Sequence, residues 1–122
     1  MKIILGLLFL FNCSFCLAQT SKGVYTIQRE KYAFGNKSII SGSVVEFATN
    51  QPLKVAFIKI DTMLIQTDTL GHFRHELSPG KHRVWAGFIG YYRIDLGKIS
   101  LQRGELVNIL FRVKYDTRPI ID

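Results

Sequence analysis

Between Thr67 and Tyr91 the sequence TDTLGHFRHELSPGKHRVWAGFIGY alternates side-chain character with a period of two, punctuated by Asp68, Gly71, Pro79, Gly80 and Gly90. Gly tolerates positive φ, Pro presets φ, and Asp hydrogen-bonds its own local backbone, so these residues mark turns. Between them, Phe73, His75 and Leu77 alternate with Arg74 and Glu76, and His82, Val84, Ala86 and Phe88 alternate with Arg83, Trp85 and Gly87. Successive side chains of a strand point to opposite faces, so this pattern predicts two half-buried strands. A hairpin closed by Pro79-Gly80 sets Leu77 opposite His82, Glu76 opposite Arg83 and Arg74 opposite Trp85. One face then carries Phe73, Leu77, Val84 and Phe88, and the other an ion pair and a cation–π pair. Pro-Gly favours a type II turn, whereas two-residue hairpins favour I′ or II′, so a longer loop with a shifted register is the alternative.

The flanking segments repeat the pattern. Ser38 to Phe47 reads as the first core strand, with Ile40, Gly42 and Val44 alternating with Ser41, Ser43 and Val45. A glycine inside a strand signals a bulge or a close backbone approach. After the turn Thr49-Asn50-Gln51-Pro52, Val55 to Asp61 places Ala56, Ile58 and Ile60 on one face, and Val55, Phe57 and Lys59 on the other. Leu64 to Thr67 is a short third strand. Tyr92 to Leu96 and Ile99 to Leu101 continue the pattern around Gly97. Leu106 to Tyr115 ends it, with Val107, Ile109, Phe111, Val113 and Tyr115 on one face. No segment has a helical period with caps. About seven short strands joined by Gly, Pro and Asn turns predict an all-β chain, an antiparallel β-sandwich of transthyretin-like or immunoglobulin-like kind. A partly open barrel is the alternative.

Residues 1–18 read as a signal peptide. Lys2 is the positive start, Ile3 to Phe11 the apolar core, and Cys16-Leu17-Ala18 a small-x-small cleavage site before Gln19. The run is too short to span a membrane. Lipidation at Cys13 or Cys16 is the competing reading, disfavoured because neither preceding triplet ends in a small residue. Both cysteines of the chain fall in this segment, so the exported chain would have no disulfide, thiol nucleophile or Cys metal ligand. The remaining 104 residues suffice for one core-stabilised domain. We divide them into an N-terminal arm, 19–37, a sandwich, 38–115, and a tail, 116–122. Within the arm, Val24 to Ile27 reads as a short strand and Tyr32 to Phe34 as a second apolar patch. The net charge of +7 falls to +6 once Lys2 is removed. The Lys and Arg residues are scattered, export removes nucleic acid as a partner, and no nucleic-acid recognition motif is present.

Several motifs, in order, resemble the carboxypeptidase regulatory-like domain. They are Gly42-x-Val44, Thr49-x-x-Pro52-Leu53, Ala56-x-Ile58-x-Ile60, Thr67-Asp68-x-x-Gly71-x-Phe73, Pro79-Gly80 and Gly90-Tyr91. The likeness runs from about Ile39 to Val113. It implies a transthyretin-like (prealbumin-like) sandwich and, because the matched positions are turns and core, a fold without a chemistry. Relatives often precede a metallocarboxypeptidase or a TonB-dependent receptor, especially in Bacteroidetes-type bacteria. This chain stops after its last strand and is expected to be a free-standing version whose partner is supplied in trans. It also carries His82 where such domains commonly have Tyr. The transthyretin-fold hydrolases of 5-hydroxyisourate end in a Tyr-Arg-Gly-Ser-type tail, which Tyr115 to Asp122 does not match.

No catalytic, cofactor or metal set emerges. His72 and His75 are three apart and face opposite ways on a strand, and Glu76 points away from both His75 and His82. No nucleophile elbow is present, and Asp68 reads as an Asx-turn residue ahead of a calcium ligand. The candidate binding surface is Trp85 with Arg74 and Arg83, together with Tyr91 and Tyr92 at the next turn; aromatic rings beside Arg suit a protein hot spot or a sugar face. The alternative is that Trp85 packs under the N-terminal arm. The sequence therefore predicts a non-enzymatic interaction module, exported to the periplasm or outer envelope or secreted. It would bind another envelope protein by edge-strand pairing or by the Trp85 face. A carbohydrate- or cell-wall-binding module using the same aromatic and basic residues is the second expectation.

Overall fold

A computed structural model describes residues 15–20, 23–31 and 36–116. The segments 1–14, 21–22, 32–35 and 117–122 lie outside the described residues. They hold most of the expected signal peptide with Cys13, the Tyr32 to Phe34 patch and most of the tail. Among the described residues nine strands are formed: β1 (Phe15–Thr20), β2 (Gly23–Lys31), β3 (Ser38–Glu46), β4 (Phe57–Ile60), β5 (Met63–Gln66), β6 (His72–Leu77), β7 (Gly80–Gly87), β8 (Ile94–Leu101) and β9 (Glu105–Val113). They make two sheets. Sheet A has the order β1-β2-β9-β3-β6 and sheet B the order β5-β4-β7-β8. The chain is an all-β sandwich. Its pairings are antiparallel except β3 with β9, which run parallel from Ile39↔Leu106 to Glu46↔Val113.

The period-two pattern explains why these strands face one another. Val107, Ile109, Phe111 and Val113 of β9 are fully buried, as are Ile40 and Val44 of β3. From sheet B, Ala56, Ile58 and Ile60 on the β4 side and Val84 and Ala86 of β7 meet them, also fully buried. All belong to one apolar cluster, in which the Phe73 and Phe111 rings stand 6.2 Å apart. A one-residue slip in any of these strands would turn its whole apolar set to water. Gly42 is the close approach expected inside β3. A Cβ at this position would run into the backbone carbonyl of Ile109 across the parallel ladder.

The segment expected as an N-terminal arm contains β2, which pairs with β9 from Gly23↔Val113 to Lys31↔Glu105. Sheet A therefore begins upstream of Ser38, and β2 lies in sheet A and not over Trp85, which belongs to sheet B. β1 spans the expected cleavage point, with Ala18 opposite Tyr25 and Gln19 opposite Val24.

Pro79-Gly80 does not close a hairpin. β6 pairs with β3 in sheet A, and β7 pairs with β4 and β8 in sheet B. Residues 78–79 instead carry the chain from one sheet to the other, as an arch. Leu77 pairs with Ser38 and His82 with Ile99, so the predicted contacts Glu76–Arg83 and Arg74–Trp85 are replaced. The physical reason is that alternation fixes which face a residue occupies and not which strand lies beside it. Phe73, Leu77 and Val84 still point into the core, from opposite sides of it.

Tyr115, expected on the core face of the last strand, is 63% exposed. The ladder ends at Val113, and the chain then bridges the 88–92 loop instead. The Tyr92 N–H donates to the Lys114 carbonyl and the Asp116 N–H to that of Gly90, both at 2.9 Å. At the other loop end, Thr67 is buried. Its hydroxyl donates to the Leu53 carbonyl at 2.7 Å and accepts from the Ala56 N–H at 2.8 Å.

Candidate functional site

Because the inner faces of β4 and β7 are sealed, their alternate residues form the outer face of sheet B. Register places Phe57 beside Gly87, and Lys59 beside Trp85, which in turn lies beside Asp95 of β8. The edge of the Trp85 ring lies against Gly87, where a Cβ would stand 3.4 Å from it, in ordinary contact. The Arg93 guanidinium lies 4.6 Å from the Trp85 ring centroid, a cation–π pair. Phe57, Trp85, Phe88, Ile89, Tyr91 and Arg93 line a shallow groove of about 260 Å³. Ile89 forms its lip and is 81% exposed.

Aromatic contacts continue from the groove towards the C-terminal segment. Phe88 and Tyr91 meet edge-on at 5.6 Å, and Tyr91 and Tyr115 are 4.9 Å apart. The Tyr91 phenol lies near the Glu46 carboxylate. Burial, the Glu46 carboxylate and Tyr115 together push its pKa above the usual tyrosine value. The Tyr91 ring forms one wall of the groove. Arg83 and Lys98 stand opposite each other on the same outer face, and Arg83 pairs with Asp95 at 3.6 Å. The face carries Lys59, Arg83, Arg93 and Lys98 against Asp95.

Of the candidate residues, Trp85 and Tyr91 meet in the groove, and Arg83 lies on the same face. Tyr92 is half-buried and is tied by its backbone to Lys114. Arg74 is on the other sheet, opposite Ser41, where it lines a separate polar groove of about 360 Å³ with Ser43, His72 and Asn108. Phe57, Phe88, Ile89 and Arg93 were not anticipated. Phe57 was legible as outward-facing, but its place beside Trp85's strand depends on a pairing between segments distant in sequence. Arg93 takes the cation–π role that a hairpin would have given to Arg74.

The three histidines are dispersed. His72 is exposed on the outer face of sheet A, His75 sits opposite Ile40, and His82 is bonded to Asp61 and Ser78. Among the described residues no group of three His, Cys, Asp or Glu side chains could hold a metal ion. Asp68 closes its turn by accepting from the Leu70 and His72 N–H groups, each at 2.9 Å. Those bonds, His72 first, hold its carboxyl below the usual carboxylate range. Among the described residues no helix is long and apolar enough to cross a membrane.

No family model matches the chain, and no curated protein matches it. Among solved structures, the chain is similar to catechol 1,2-dioxygenase from Acinetobacter sp. ADP1, inhibited by bound mercury. The identity is 12% and the TM-score 0.47, over 74% of this chain and 58% of that one. The chain therefore spans little more than half of that structure, and a likeness at this level assigns neither family nor activity.

Proposed function

We propose that the protein is an exported, non-enzymatic interaction module of the bacterial cell envelope, which binds another envelope protein through the Trp85 groove. The observation that carries this reading is the groove itself. Apolar and aromatic side chains stay open to water on one sheet face, with the Arg93 guanidinium among them and Lys59 beside Trp85 in register, while the core behind them is closed. Trp, Tyr and Arg are the residue types that anchor protein interfaces, because they combine large apolar area with a polar handle. The partner surface that fits is an apolar side chain flanked by carboxylates, complementary to Lys59, Arg93 and Lys98. The resemblance to carboxypeptidase regulatory-like domains supports a modular role, and the 1–18 segment supports export. The second reading, a carbohydrate-binding module, is favoured by the Trp85 and Tyr91 rings. Against it, one face of Trp85 is taken by Arg93, and the groove offers few hydrogen-bonding groups for sugar hydroxyls.

The test is an in-cell crosslink. A photoreactive residue replaces Ile89 at the lip, and a second chain carries it at Arg74 on the opposite sheet. A discrete protein adduct from position 89 and none from position 74 is the expected result. Adducts to glycan alone, equal capture at both positions, or no adduct at position 89 would overturn the protein-partner reading.

A further inference from the structure

The arch between the two sheets is gripped by one side chain. His82 follows it on β7, with its side chain only 13% exposed. Nδ1 lies 2.6 Å from Oδ2 of Asp61, and Nε2 lies 2.7 Å from the carbonyl oxygen of Ser78. The two partners come from different elements, Asp61 from the β4–β5 turn and Ser78 from the arch. Asp61 is itself fixed. Its backbone sits at φ 57°, its other carboxylate oxygen accepts from the Arg83 N–H at 3.0 Å, and its own N–H donates to the Arg83 carbonyl at 2.8 Å.

A carbonyl oxygen can only accept. The Asp61 carboxylate also only accepts, because the His82 bond and then the Arg83 N–H hold its pKa below the usual range. A neutral imidazole has one N–H and can serve only one of two acceptors; an imidazolium has two and serves both. The geometry thus demands the protonated ring.

We propose that His82 is a proton-operated latch on the sheet crossover: protonated, it ties the arch and the β4–β5 turn to β7, and on losing its proton it lets go of one of them. The hydrogen bonds of the ring go to Asp61 and Ser78 and not to the other charged groups on the neighbouring strands. Lys81 and Arg83 flank it on β7 and belong to the opposite face, where Arg83 pairs with Asp95. On β8 its register partner is Ile99, with Lys98 alongside; on β6 the carboxylate of Glu76 lies on the outer face opposite Ile39, and His75, opposite Ile40, is the titratable group of that strand on the inward face.

Burial pulls the His82 pKa down. The Asp61 bond, the Ser78 carbonyl and the Asp61 charge outweigh it and leave the value above its ordinary 6.5. A group raised on folding contributes its full stability below the ordinary value and loses it as pH climbs through the raised one. The latch is therefore closed below the ordinary histidine value and opens as pH climbs through the raised one.

The experiment is a pH titration of the His82 ring by NMR in the full chain, with thermal unfolding measured over the same range. The expected results are a ring midpoint above that of free histidine, and a Tm that falls through the same window. His82→Gln, which cannot titrate, flattens that fall, and Asp61→Asn moves the ring midpoint down. A midpoint at or below the free value, or identical pH profiles for the wild type and His82→Gln, would overturn the latch. If His82→Gln does not fold, the wild-type midpoint and its displacement in Asp61→Asn decide the matter.

Discussion

Sheet A and sheet B seal their inner faces equally well, yet treat water differently on the outside. Around the outer groove of sheet A stand Ser41, Ser43, His72, Arg74 and Asn108, groups at home in solvent. Around that of sheet B stand Phe57, Trp85, Phe88 and Ile89. Folding requires the first kind of face to be inward-apolar only, and asks nothing of its outward residues. The aromatic outer face of sheet B is thus an expense that the core does not explain, which is why the functional reading rests there.

The sharpest test of this contrast is to delete one aromatic ring from the core and one from the outer face of sheet B. Phe111→Ala empties a fully buried position of β9 and should cost about 3–5 kcal/mol in denaturant unfolding. Gly42→Ala comes next. It drives a methyl group against the Ile109 carbonyl and should cost about 1–3 kcal/mol, with the β3–β9 amides losing hydrogen-exchange protection first. Thr67→Val keeps shape but leaves the Ala56 N–H and Leu53 carbonyl without their shared hydroxyl, again about 1–3 kcal/mol. Trp85→Ala should cost only about 1 kcal/mol, since the ring is half-buried, while removing capture of the partner from the groove. If Trp85→Ala were as damaging to stability as Phe111→Ala, the outer face of sheet B would be structural and the contrast would collapse.

What the sequence disclosed follows the same division. The inward residues of β3, β4 and β9 were legible because period-two alternation is a local property, and burial agrees with it at Ile40, Val44, Ile58, Ile60, Val107, Ile109 and Phe111. The arch at Pro79-Gly80 was not, because the same alternation serves a hairpin and a crossover alike. Tyr115 continued the β9 pattern on paper but left the ladder to bridge Tyr91. At the candidate site, Trp85 and Tyr91 stood out by being aromatic and out of phase with the core or set in a turn. Phe57 and Arg93 became their neighbours only through the β4–β7 and β7–β8 pairings, which no local pattern encodes.

The parallel join of β3 to β9 also sets an order of events. β9 lies at the centre of sheet A, between β2 and β3, yet it is the last of the nine strands to be synthesised. Until it arrives, β2 and β3 each present a bare backbone edge, and the inward residues of sheet B have no counterpart in β9. Contacts between segments so distant in sequence form slowly, because the chain must close a long loop before any of them is made. The nascent chain therefore passes through a stage in which unpaired edges of this kind invite pairing with other chains. Insertion of β9 between β2 and β3 removes both edges in a single step.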